Sequence, residues 1–135
     1  MNVFVYGTLK PGECNYADCA PWVVAATPAW TRGELYALPL GYPALTEGDR
    51  RVEGVLLQLR AAAALEQLDA LEDYDPARSP AENEYERRYT PIFAPTGAAL
   101  GRAWAYWMTR ARIEAAGGQW LPSGYWSAVS KPASE

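Results

Sequence analysis

Apolar and polar positions alternate with a period of two over most of this 135-residue chain, which predicts strands, and a single stretch carries a helical period. Val3, Phe4 and Val5 form a short β-branched and aromatic run that reads as a central strand. Gly7 and Thr8 break it, and Lys10-Pro11-Gly12 is a turn signal. Asn15 is placed to cap a short helical turn through Cys19, ahead of Pro21. Residues 22–26 read as a strand, a turn follows around Pro28, and residues 30–38 read as the next strand. Within it Trp30, Arg32, Glu34 and Tyr36 share one face, and Thr31, Gly33, Leu35 and Ala37 share the other. A loop over 39–43 leads to a short extended piece at 43–46. Glu47-Gly48-Asp49 then turns the chain, and residues 51–59 alternate as a strand buried heavily on one side.

Residues 61–73 (AAAALEQLDALED) are the predicted helix, built from strong helix formers without Gly or Pro. Leu65, Leu68 and Leu71 mark its buried stripe. At roughly 100° per residue Glu72 falls about 40° from the centre of that stripe, Asp69 lies at its border, and Glu66 and Asp73 fall outside it. The polar stretch 75–83, with two prolines, reads as a mobile loop over one end of the domain. Residues 85–93 read as a strand that Pro91 demotes in part to an edge. Pro95-Thr96-Gly97 turns into a strand over 99–108. There small Ala103 and Ala105 face opposite to large Trp104, Tyr106 and Met108, an alternation that fits a tightly curved sheet or small barrel. Residues 113–129 read as irregular and 131–135 as a frayed tail. Strands, one helix, then more strands, with no repeat and no linker, predict a single α+β domain over 1–130. Its sheet is expected to be small, mixed, mostly antiparallel and curved, with one main helix.

Composition narrows the partners. Half the residues are hydrophobic and 13% aromatic, which excludes disorder. The net charge is −4 and no Lys/Arg run exceeds two residues, so no nucleic-acid partner is expected. No apolar stretch approaches the roughly 18 residues of a membrane span. The chain goes straight into a strand rather than a signal peptide, so no membrane partner and a cytoplasmic location are expected. Cys14 and Cys19 supply too few ligands for zinc, and a cytosolic disulfide is disfavoured, so they read as small packing residues. There is no histidine. Ser-His-Asp, Cys-His and imidazole acid-base chemistry are therefore removed, and proton transfer in any enzyme reading falls to Glu, Asp, Lys, Tyr or Cys.

Two features are candidates for chemistry. The first is the glycine loop after the first strand. Its spacing is neither GxxxxGK[ST] nor GxGxxG, so nucleotide binding fits poorly. A tight turn with nothing bound, and a carboxylate held by successive backbone N–H groups, both remain open. The second is Glu72, either a helix-end glutamate turned outward or paired with an arginine, or a functional carboxylate. It opposes the helix macrodipole and sits near the apolar stripe, two local conflicts of the kind functional sites tolerate. Partial burial would raise its pKa toward neutrality. Glu34, Glu53, Glu82, Glu84 and Glu86 read as solvated or ion-paired, and Arg87 and Arg88 either as surface residues of an edge strand or as partners of a substrate carboxylate. Tyr6, Tyr85, Tyr106 and Tyr125 are candidate pocket donors, and Trp120 and Trp126 candidate core or pocket wall. Thr8 or Cys14 as a nucleophile would lack an evident base.

In order along the chain come Val5-Tyr6-Gly7-Thr8-Leu9 with Gly12, Gly41-Tyr42-Pro43-Ala44-Leu45, Val52-Glu53-Gly54-Val55, Leu68-Asp69-Ala70-Leu71-Glu72 and Tyr85-Glu86-Arg87. The aromatic strand at 103–106 and Ser123-Gly124-Tyr125-Trp126 follow. Together they resemble the γ-glutamylcyclotransferase-like family, in particular its small bacterial-type, γ-glutamylamine cyclotransferase-like members, over nearly the whole chain. The resemblance implies that family's small mixed α/β barrel. It implies that Tyr6, Gly7, Thr8 and Leu9 bind the α-carboxylate end of a γ-glutamyl group, with Tyr85 and Tyr125 beside it, and that Glu72 is the acid-base residue. The reaction implied is attack of the substrate's α-amine on its own γ-carbonyl, releasing 5-oxoproline and an amine. No cofactor and no metal are called for, and the partner expected is a small-molecule γ-glutamyl compound. The alternative is a non-catalytic binding or regulatory module that keeps the pocket. The long, proline-rich loop between Glu72 and Tyr85 departs from the family pattern and bears on the leaving-group side.

Overall fold

In the computed structural model, which describes residues 1–61, 63–72, 74–79 and 82–128, strand β1 (Asn2–Val5) lies between two longer strands. It pairs antiparallel with β3 (Pro43–Leu59) and, at Val3↔Trp104, parallel with β5 (Ala99–Trp107). Strand β2 (Val23–Ala37) pairs along β3 and meets β4 (Glu86–Phe93) at Trp30↔Phe93. Because β4 pairs antiparallel with β5, the order β1–β3–β2–β4–β5 closes on itself. A two-residue β6 (Gln119–Trp120) extends β2 at Tyr36 and Ala37. Helices α1 (Tyr16–Cys19), α2 (Ala63–Leu71) and α3 (Arg110–Ala116) are short. The architecture is α+β: a six-stranded, mixed, mostly antiparallel sheet rolled into a near-barrel ring.

Strand alternation fills this ring from every side. Phe4 of β1, Leu35 of β2, Leu45 and Val52 of β3, Ile92 of β4 and Ala103 and Ala105 of β5 form one buried cluster. The two alanines give the curvature its room, as the small–large pattern predicts. The opposite faces of β1 and β5 send Val3, Val5 and Tyr106, with Met108 just past β5, into a second cluster, which Leu65 and Leu68 of α2 and Ile113 of α3 cover. Strand β1 is thus buried on both faces, which is why its run is apolar without alternation. Gly54 is where β3 presses on β1: a Cβ there would lie 2.4 Å from the Val5 carbonyl and 2.6 Å from the Phe4 ring.

Several expectations change. Pro28 does not divide the first hairpin strand, because β2 runs through it. Among the described residues that half of β2 pairs only with β3, where a residue lacking an N–H disturbs no second ladder. Residues 47–49 likewise stay inside β3, as extra residues where the register jumps from Gly33↔Arg50 to Glu34↔Thr46. Asn15 precedes α1 but makes no side-chain cap. In α2, Leu71 is 39% exposed although it continues the predicted stripe, and Asp69, expected at the border, is buried. Helix α3 begins before the stretch read as irregular and ends inside it. Thr109 accepts the N–H of Arg112 at its start, and Gly117, at φ 82°, ends it in the left-handed conformation. Among the described residues no helix is long and apolar enough to cross a membrane. The loop at 75–83 is tied internally where it is described: Asn83 Oδ1 accepts from the Asp75 N–H at 2.9 Å and its Nδ2 donates to the Asp75 carbonyl at 3.1 Å. Asp73 and the tail at 131–135 lie outside the described residues.

Candidate active site

Strand β1 ends at Val5 and the chain leaves the sheet as a tight loop. The Lys10 N–H donates to the Gly7 carbonyl at 3.0 Å and the Asn15 N–H to the Thr8 carbonyl at 2.9 Å. The Asn15 side chain, free of a capping role, donates to Thr8 Oγ1 at 3.0 Å. These bonds use the loop's carbonyls and leave its donors: the N–H groups of Gly7, Thr8 and Leu9 have no acceptor among the described residues. All three residues line one cavity of about 180 Å³. Gly7 is packed against the start of β3, where an added Cβ would lie 2.6 Å from Pro43 Cγ. Its lack of a side chain sets how closely loop and strand approach.

The second wall comes from the end of α2. Leu65 and Leu68 seat the helix. Asp69 then fixes its rotation: Tyr106 Oη donates to Oδ1 and Arg87 Nη1 to Oδ2, each at 2.7 Å. Burial still pushes the Asp69 carboxyl above its ordinary range, opposed by those two partners. Three residues on, past the last turn of the helix, Glu72 lines the same cavity as the loop amides. Its carboxylate is half-buried and has no hydrogen-bond partner among the described residues. Burial first, and the charge of Glu84 second, push it up to about 7.

Tyr42, Pro43, Glu84, Tyr85 and Tyr106 complete the cavity. The tyrosine hydroxyls are committed elsewhere. Tyr6 donates to the Tyr106 carbonyl at 2.6 Å, Tyr85 to the Pro43 carbonyl at 2.7 Å, and Tyr42 to Glu84 Oε2 at 2.5 Å. Burial raises the Tyr6, Tyr85 and Tyr106 hydroxyls above their ordinary range, and burial with Glu84 pushes Tyr42 up to about 12, so all four stay protonated donors near neutrality. The loop amides of Gly7, Thr8 and Leu9 are thus free donors on residues that line the cavity.

Of the residues the sequence singled out, Tyr6, Gly7, Thr8, Leu9, Glu72 and Tyr85 meet at one cavity. Tyr125 does not line it: its ring is 44% exposed, under the Lys10 ammonium at 4.0 Å, where the segment after Gly124 crosses the loop. Glu84 was read as solvated or ion-paired and instead faces the cavity. Its only sequence signal is its place immediately before Tyr85. Among the described residues no cluster of three or more His, Cys, Asp or Glu is arranged to hold a metal.

Residues 3–128 match the family model described as gamma-glutamyl cyclotransferase, AIG2-like. Among solved structures, YkqA from Bacillus subtilis superposes with a TM-score of 0.67 at 21% identity, over 93% of this chain and 39% of that one. This chain therefore spans well under half of that protein. An AIG2-like protein from Mus musculus gives 0.61 at 21% identity, over 79% and 76% of the two chains. The protein ytfP from Escherichia coli gives 0.58 at 27% identity, over 93% and 96%. No curated protein matches.

Proposed function

Because the chain belongs to the gamma-glutamyl cyclotransferase, AIG2-like family, we propose that it cleaves a γ-glutamyl amide by intramolecular cyclisation. The observation that carries this reading is the sharing of one cavity by the unpartnered Gly7–Thr8–Leu9 amides and the Glu72 carboxylate. The amides hold the substrate's α-carboxylate, as successive backbone N–H donors hold an anion. That fixes the α-amine and the γ-carbonyl of one molecule in near-attack geometry, so the step needs no second reactant. Glu72 takes a proton from the α-ammonium. The freed nitrogen attacks the γ-carbon, a C–N bond forms, and the carbonyl electrons move to oxygen, where a backbone N–H steadies the developing charge. As the carbonyl re-forms, Glu72 returns that proton to the leaving nitrogen, whose bond to the γ-carbon breaks; the attacking nitrogen, left with two N–H bonds, then gives one of them to Glu72, which passes it to the departing amine. The products are 5-oxoproline as its carboxylate and the amine as its ammonium, so protons balance and Glu72 ends as the carboxylate it began.

A base with a pKa of about 7 is well matched to this transfer. Release of 5-oxoproline from a panel of γ-glutamyl amino acids and γ-glutamyl amines tests the reading. Turnover is expected to rise through about pH 7, and folded Glu72→Gln to lose it by about 10²–10⁴-fold. Wild-type turnover by that variant would rule the mechanism out. Binding of 5-oxoproline with no turnover of any candidate would point instead to a binding module. We read residues 1–130 as one domain of this activity. The two free thiols, Cys14 exposed and Cys19 buried, suit the reducing cytoplasm.

A further inference from the structure

Two carboxylates, Glu72 and Glu84, line a cavity of about 180 Å³, and no lysine or arginine lines it with them. Like charges confined together repel, and the arrangement is relieved when a cation comes between them. The same cavity is lined by Gly7, Thr8 and Leu9, whose backbone amides have no acceptor among the described residues. The cavity's lining thus combines free donors with two carboxylates, the chemical complement of an amino-acid head group with its α-carboxylate and α-ammonium. Glu84 is held for such a role: Tyr42 Oη donates to Oε2, while Oε1 has no partner among the described residues.

We propose that Glu84, oriented by Tyr42, is a substrate-binding residue that accepts an N–H of the α-ammonium while Glu72 takes its proton. The inference rests on the cyclisation reading, since that reading places the glutamyl head group in this cavity. An ammonium carries three N–H bonds, and the base removes one. A nitrogen held by the base alone would be released at the moment it becomes a nucleophile. With Glu84 accepting a second N–H, the neutral amine stays beside the γ-carbonyl. No further reactant enters, and the proton balance of the cyclisation is unchanged.

Calorimetry with L-glutamine and its des-amino analogue, glutaramic acid, isolates this contact, because the pair differs only in the α-amine. Wild-type protein is expected to prefer L-glutamine by tenfold or more. In Glu84→Gln the preference is expected to fall at least fivefold, with glutaramic acid bound as in wild type. Tyr42→Phe should lose two- to threefold, and Glu84→Asp should restore part of the loss. A merely structural role would weaken both ligands alike. An undiminished preference in Glu84→Gln overturns the inference and leaves the cyclisation reading standing. If that variant does not fold, an undiminished preference in Tyr42→Phe overturns it. Wild-type protein that binds neither ligand and forms no 5-oxoproline removes the cyclisation reading, and the inference with it.

Discussion

Glu72, just past the last turn of α2, is drawn out of water and also feels the charge of Glu84, so its neutral form is favoured twice over. The consequence for folding has a definite sign. Its pKa is raised from an ordinary 4.5 to about 7 in the folded protein. Its contribution is therefore fully present below the unfolded value and is lost as pH rises through the folded one. Glu72→Gln keeps the shape and removes the ionisation. It should leave stability nearly unchanged at pH 4 and raise it at pH 8, by at most about 3 kcal/mol at roughly 1.4 kcal/mol per unit. Urea denaturation at the two values measures the difference, and equal effects at both would show that Glu72 titrates normally. The same burial that weakens the fold above neutrality makes the group a usable base, so stability and chemistry pull on this residue in opposite directions.

Helix α2 has nine residues, and Leu71 on its last turn is exposed, so apolar packing alone holds only its first two turns. What carries the helix end to the cavity is polar. Asp69 joins Tyr106 of β5 and Arg87 of β4, and the Arg87 guanidinium lies 4.7 Å from the Trp104 ring. Arg87 and Asp69 keep only 18% and 10% of their side-chain exposure, so removing one partner strands the other. Asp69→Ala is expected to destabilise by about 2–4 kcal/mol, toward the lower part of the range for a broken buried pair because both groups retain some water. A change below about 0.5 kcal/mol in urea denaturation would mean the pair is ordinary surface chemistry. This element also shows what was legible in the sequence. The loop at 6–9 and Glu72 stood out because each breaks a local pattern, a strand stopped by glycine and a charge near an apolar stripe. Asp69 and Glu84 break none, since their partners lie 37 and 42 positions away in the chain, at Tyr106 and Tyr42. The strand breaks expected at Pro28 and Gly48 failed for a related reason. A local turn signal yields where a long ladder with β3 supplies pairing on either side of it. Helix α3 escapes the sequence because its seven residues are too few for a periodic stripe.

At the scale of the whole molecule, the ring brings the loop after β1 together with the segment that follows Gly124. The segment after Gly124 crosses from β3 to the loop. The Glu53 N–H donates to the Gly124 carbonyl at 2.7 Å, and Lys10 Nζ donates to the Trp126 carbonyl at 2.5 Å. Beyond it the Ser127 hydroxyl and the Ala128 N–H donate to the two oxygens of Glu13. Lys10 and Glu13 both belong to the stretch that closes the amide loop, through the Lys10 N–H on Gly7 and the Glu13 N–H on Lys10, each at 3.0 Å. A strap thus lies over the back of the proposed carboxylate cradle, fastened at two points three residues apart in sequence. Two fasteners on one segment cannot act independently, because once either is lost the other holds a strap already free to fray. Lys10→Met is expected to cost about 1–3 kcal/mol, since it leaves a carbonyl without its charged donor, and Glu13→Ala about 1 kcal/mol. The double variant should cost less than the sum, with a coupling of 0.5 kcal/mol or more. Additivity within about 0.3 kcal/mol would mean the contacts act separately, and the C-terminal segment would then be packing on the loop rather than holding it.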